Sequence, residues 1–157
     1  MRPVKKVALL HDLCGVGKAA LTNMVPVLSV MGIEACPIPT ILLSTHTGGY
    51  GKPAMEISTT YIRECAEHYV ANQVTFDLIF VGYLGSEGMI EAVEYFLSCF
   101  PDAEVILDPI MGDHGRYYTN FDSVYGESMR RLLRMQALSC LISQKDVFLL
   151  EISTQKT

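Results

Sequence analysis

The sequence predicts an α/β fold built on a mostly parallel sheet, folded as one domain. Three observations point there. Short branched apolar runs alternate with longer segments of helical period, the pattern of successive β-α-β units. Most of those runs close on glycine, proline or an acid, residues that stop a strand and turn the chain. The 157 residues are half hydrophobic and 18% charged, enough to bury a core and too apolar for disorder.

Taken in order, residues 7–10 are a buried-strand candidate running into His11-Asp12-Leu13-Cys14-Gly15-Val16-Gly17-Lys18. A helix follows over 19–31, kinked at Pro26 and ended by Gly32 in a C-cap position. Residues 35–38 make a second short strand before the breakers Pro37 and Pro39, giving a right-handed β-α-β opening. Residues 44–51, Ser-Thr-His-Thr-Gly-Gly-Tyr-Gly, are too polar for core and read as a working loop. Residues 57–71 have helical spacing through Ile62, Cys65, Ala66 and Tyr69. Residues 76–81 are the next strand, closing on Gly82-Tyr83-Leu84-Gly85-Ser86. Ser86 can cap a helix that turns Met89, Ile90, Val93 and Phe96 inward and stops before Pro101. Residues 117–121 read as surface and 123–133 as a helix, while 147–150 could be strand.

The organising stretch is Val105-Ile106-Leu107-Asp108-Pro109-Ile110-Met111-Gly112-Asp113, a buried-strand run that ends in an acid and a turn. At the carboxyl rim of an open parallel sheet, Asp108 and Asp113 would face the crevice where ligands sit. There they could organise magnesium or phosphate oxygens. Tyr83 and Ser86 close another strand on the same rim, which would make a composite crevice, with core packing the alternative for Tyr83. The hydroxyls and imidazole of residues 44–50 suit hydrogen bonding to a polar small molecule.

Other chemistries are disfavoured by pattern, and residues 15–18 read first as an ordinary turn or small-ligand contact. Gly15-Val16-Gly17-Lys18 lacks the first glycine and the trailing Ser or Thr of a phosphate-binding loop. His11, His46, His68 and His114 show no metal-ligand spacing, and no G-x-S-x-G elbow marks a serine nucleophile. A net charge of −5 and pI near 5.3 provide no basic field for nucleic acid. No apolar run approaches the roughly 20 residues of a membrane helix, so a cytoplasmic protein with no membrane partner is expected. Five cysteines without a C-x-x-C pair read as reduced, mostly buried thiols.

Four motifs together, at 11–18, 44–49, 82–86 and 108–113, resemble the N-terminal part of the pyridoxal (pyridoxine/pyridoxamine) kinases of the ribokinase-like superfamily. The resemblance implies a three-layer α/β/α sandwich, here truncated, and transfer of the ATP γ-phosphoryl to the 5′-hydroxymethyl of a B6 vitamer. By the same resemblance Asp12, Thr47 and Tyr83 would surround the pyridine ring. Asp108 and Asp113 would stand on the nucleotide side and organise Mg2+, largely indirectly. Full-length relatives resemble homodimers. The alternatives are a hydroxymethylpyrimidine kinase, which shares the fold and chemistry, and a non-catalytic vitamer-binding module.

One departure bears on activity. The family's general base and anion hole come from a downstream Gly-Thr-Gly-Asp motif, and here the last glycine is Gly126. No catalytic base is therefore assigned, and the chain alone is expected to be inactive or nearly so. Residues 1–133 form the kinase-like portion, and 134–157 carry no family resemblance. Back-translated and read in the adjacent frame, that tail permits a family-like Tyr-Ala-Gly-Leu-Ile-Leu-Pro-Asn segment, so a frameshift near Leu133 is expected.

Overall fold

The computed structural model describes residues 4–113, 116–118, 121–135 and 140–142. Its elements are β1 (Lys6–Val16), α1 (Leu21–Val30), β2 (Glu34–Thr45), β3 (Met55–Ile57), α2 (Thr59–Ala71), β4 (Leu78–Val81), α3 (Glu87–Ser98), β5 (Glu104–Leu107), β6 (Gly112–Asp113), β7 (Arg116–Tyr117), α4 (Ser123–Met135) and β8 (Cys140–Ile142). One sheet has the order β3-β2-β1-β4-β5-β8, all parallel except β3, and β6 and β7 form a small antiparallel ribbon.

The layers follow from which strand positions point where. Ala8, Leu10, Ile38, Ile79, Val81, Val105 and Leu107 face α2, α3 and α4 in the main core. Val7 and Leu9, the alternate positions of β1, face α1 with Leu21, Leu28 and Phe80. Helices thus cover both faces, giving the three-layer α/β/α sandwich. α3 contributes most, with Met89, Ile90, Val93 and Phe96 fully buried as its periodicity predicts. Each such side chain contributes roughly 1.5–3 kcal/mol by leaving water. Ser86 and Ser58 cap α3 and α2 by accepting from the amides of Met89 and Tyr61.

Four expectations need correction. The first strand runs on to Val16, and the second runs from Glu34 to Thr45 straight through Pro37 and Pro39. Glu34 donates its N–H to the Lys5 carbonyl (2.9 Å), so alternate amides of β2 face β1 and the two prolines fall on the opposite edge. There β3 pairs only with Ile41–Leu43, and the missing N–H groups leave no ladder bond unmade. The polar loop is accordingly the tip of a β2–β3 hairpin, and its return strand carries no sequence signal. Phe121 is buried rather than on the surface, because it packs between Tyr83 and Tyr125. Among the described cysteine side chains only Cys14 is fully buried, while Cys36, Cys65 and Cys99 are half-buried.

Pro26 is accommodated within α1, and Gly32 takes a left-handed φ of 76° just past that helix, as expected. α4 extends to Met135, and β8 pairs in parallel with β5. The expected strand at 147–150 lies outside the described residues, as does His114.

Candidate functional site

Adjacent parallel strands place their carboxyl ends at one edge, and three such ends meet here. Gly82 donates its N–H to the Leu10 carbonyl (2.8 Å), and Asp108 donates its own to the Val81 carbonyl (2.9 Å). Position 11, Gly82 and Asp108 therefore stand side by side across β1, β4 and β5. This is the rim at which open α/β sheets hold ligands.

Asp12 reaches the rim through an irregularity. Between His11 and Leu13 the pairing advances two residues on β1 against three on β2. In a regular strand neighbouring side chains point to opposite faces. Here the Nδ1 of His11 lies 2.8 Å from Oδ1 of Asp12, and each residue is only 8% exposed. The imidazole stacks on Phe80, with centroids 6.1 Å apart and planes 7° from parallel. The ring also abuts Gly82, where an added Cβ would overlap it.

Thr40, 1% exposed on the bulged part of β2, donates its hydroxyl to the Tyr83 carbonyl (2.7 Å) and fixes the segment after β4. The half-buried Tyr83 ring lies 5.6 Å from Phe121, which stacks on Tyr125 at 4.0 Å. Burial, with Tyr83 close by, pushes the Tyr125 phenol well above its ordinary value and keeps it neutral. Tyr83 thus combines both readings open to it, leaning on the core while standing on the rim.

Asp108 is half-buried, and its carbonyl accepts from the amide of Ile110 (2.8 Å) in the tight turn through Pro109. The backbone of Asp113 pairs with Arg116 in the small ribbon, and its side chain lies outside the described residues. Among the described residues no three His, Cys, Asp or Glu side chains gather as a metal cage. A single rim carboxylate fits a magnesium ion carried mainly by water and phosphate oxygens.

Thr47 is set apart from the other three. His46 donates its N–H to the carbonyl of Val16 (3.0 Å), so the exposed Thr47 lies beyond the end of β1. Four residues of strand place it roughly 13 Å further out than Asp12. The polar groups around it mainly hold the arm together. His46 Nδ1 accepts from Gly48 (3.0 Å), its ring abuts Gly17 and meets Tyr50 edge-on, and the Ser44 hydroxyl accepts from Ala54 (3.0 Å). The turn after β1 is tied down as well, since Ala19 donates its N–H to Cys14 Sγ at 3.4 Å.

The sequence reading missed His11 as the partner of Asp12, Thr40 as a latch, and the Phe121–Tyr125 stack. Only the adjacency of a histidine and an aspartate at a strand end hinted at the first. The latch depends on a contact 43 residues apart in the chain, and the stack, though local itself, is placed by Tyr83, 38 residues before Phe121.

No family model matches the chain. A curated pyridoxal kinase from Arabidopsis thaliana is 26% identical over 103 residues, which are 62% of this chain and 33% of that protein. A solved pyridoxal kinase from Lactobacillus plantarum is 34% identical with a TM-score of 0.79, over 83% of this chain and 47% of its own. The chain is similar to pyridoxal kinases over half or less of their length. A protein named as a phosphomethylpyrimidine kinase, from Bacteroides thetaiotaomicron, is 42% identical with a TM-score of 0.78, over 83% of this chain and 46% of its own. That protein has also been solved with pyridoxal. The chain spans about half the length of these solved kinases and a third of the curated one. Pyridoxal kinase from Leishmania donovani, in complex with ADP and pyridoxamine, is 22% identical with a TM-score of 0.66 and shares the fold.

Proposed function

We propose that the chain carries the acceptor-side portion of an ATP-dependent kinase that phosphorylates a B6 vitamer at its 5′-hydroxymethyl, in the cytoplasm. The observation that supports this reading is the position of Asp12, Tyr83 and Asp108 at three neighbouring strand ends of one sheet edge, within motifs that resemble those of pyridoxal kinases. A relative of 41% identity that binds pyridoxal adds weight. In this reading Asp12 and Tyr83 hold the polar heteroaromatic ring, and Thr47 closes over it from the β2–β3 arm. Asp108 and Asp113 lie toward the nucleotide and help to order Mg2+ around its phosphates. Phosphoryl transfer is mostly positioning and charge neutralisation, so these groups need no unusual acidity. Pairing into a homodimer, as full-length relatives are expected to do, belongs to the same reading.

A second reading, phosphorylation of a hydroxymethylpyrimidine, is favoured by the name of the Bacteroides relative. Calorimetric titration of the chain with pyridoxal, with hydroxymethylpyrimidine and with Mg-ATP separates the two. Saturable uptake of pyridoxal, weakened about tenfold by Tyr83→Ala, is expected from the loss of stacking area. Uptake of the pyrimidine without pyridoxal overturns the first reading in favour of the second. Among the described residues no helix is long and apolar enough to cross a membrane.

A further inference from the structure

Thr40 and Ile41 are neighbours on β2, yet both act on the same short segment after β4. The Thr40 hydroxyl donates to the Tyr83 carbonyl at 2.7 Å, and Ile41 Cδ1 fills the place where a side chain on Gly85 would stand. Both residues are almost fully buried, at 1% and 3% exposed. Regular pairing sends neighbouring side chains to opposite faces of a sheet. Thr40 and Ile41 fall, however, where β2 carries these two residues against Asp12 alone on β1. An extra residue of this kind re-aims a side chain that regular pairing would direct elsewhere.

Tyr83 is thereby held at both its backbone and its ring. Thr40 ties the carbonyl, and an edge of the ring lies against Gly85, on the side that Ile41 fills. The ring packs on two separate clusters, the main core through Phe121 and the small group of Cys14, Ile41 and Leu43. Gly85 turns the chain at φ 77° just beyond it, and Ser86 caps α3. A bond to the backbone carbonyl therefore sets where the ring stands from two strands away, since β1 lies between β2 and β4.

We propose that Thr40 is a positioning residue for the acceptor site. Aimed by the extra residue of β2, its hydroxyl fixes the Tyr83 carbonyl and so sets the ring on which a heteroaromatic acceptor stacks. The inference rests on the vitamer-kinase reading and extends it to a buried residue that acts through Tyr83 rather than on the acceptor itself.

Variants of the full chain, titrated with pyridoxal, test it. Thr40→Val keeps the shape and removes the hydroxyl, whereas Thr40→Ser keeps the hydroxyl and removes the methyl group. The serine variant is expected to bind within about twofold of the parent and the valine variant about tenfold more weakly, the order of one hydrogen bond lost at a buried carbonyl. A role in packing alone orders the two the other way. That order, or equal binding by the two, overturns the proposal. Thr40→Ala set beside Thr40→Ser isolates the same hydroxyl, with the same gap expected, should the valine variant not fold. In a Tyr83→Ala background Thr40→Val is expected to add less than about twofold, because the ring that it places is gone. A loss there as large as in the parent means that Thr40 does not act through Tyr83, and it too overturns the proposal. Failure of the parent chain to take up pyridoxal is a separate result, which removes the vitamer reading itself and this inference with it.

Discussion

Gly82 lacks a side chain because the His11 imidazole occupies the place where one would stand. Gly82→Ala is therefore expected to push the imidazole off Phe80 and to destabilise the fold by about 1–3 kcal/mol, the usual cost of overpacking. Thermal unfolding measures the first effect, and a parallel loss of pyridoxal binding tests the link to Asp12. A second residue-level device is electrostatic. Asp77 receives the Lys5 ammonium at 2.6 Å and the Lys6 amide at 2.8 Å, tying the segment before β4 to the start of β1. The hydrogen bond from Lys5, then that from Lys6, hold the Asp77 carboxyl below its ordinary value of 3.8. A depressed carboxylate stabilises the fold above its ordinary value and stops doing so as pH falls through its folded one. The melting temperature of Asp77→Asn should thus lie below that of the parent at neutral pH, and the gap should close as the pH is taken below 3.8. Tyr83 and Asp108 were legible as candidates because each sits beside turn residues after an apolar run, whereas Asp12 was indicated only by the resemblance. His11 was not, since the bulge that turns it toward Asp12 lies in the partner strand's register.

The element that departs most from its sequence signal is the β2–β3 arm. Period and caps made α2, α3 and α4 legible to within a few residues, because amphipathic spacing is a local property. The length of β2 was hidden by Pro37 and Pro39, whose tolerance depends on which edge of the sheet they face. β3 was hidden because three exposed residues, Met55–Ile57, carry no alternation to read. The arm's outer end is locked by His46 seated on Gly17, a residue with φ of 110° that only glycine adopts readily. Gly17→Ala combines an unfavourable backbone with overlap on the imidazole. It should free residues 46–54, which faster amide exchange or limited proteolysis there would reveal, while the exchange of α3 stays unchanged. Equal loosening of α3 would mean that the arm is part of the core and not an appendage to it.

Across the whole molecule, the two faces of the sheet are unequally covered. Among the described residues α2, α3 and α4 pack on one face and α1 alone on the other. Leu78, Phe80 and Ile106 on that second side are only half-buried, and Val27, Val30 and Met31 at the end of α1 are exposed. The solved relatives it matches are about twice as long, and exposed apolar surface of this kind is where further structure packs. The parallel sheet and its three layers were readable from strand–helix alternation together with the resemblance. How residues 134–157 relate to residues 1–133 was not, since they carry neither period nor motif. Our proposal for them remains a shifted frame from Arg134, and sequencing the gene around Leu133 decides it. If the proposal holds, the parts for ring recognition are encoded before that point and those for catalysis after it. The most direct measurement is ATP-dependent phosphorylation of pyridoxal by the 157-residue chain, beside the product of the same gene with one cytosine restored before the Arg134 codon. We expect turnover from the restored protein alone; turnover by the short chain, or by neither, contradicts it.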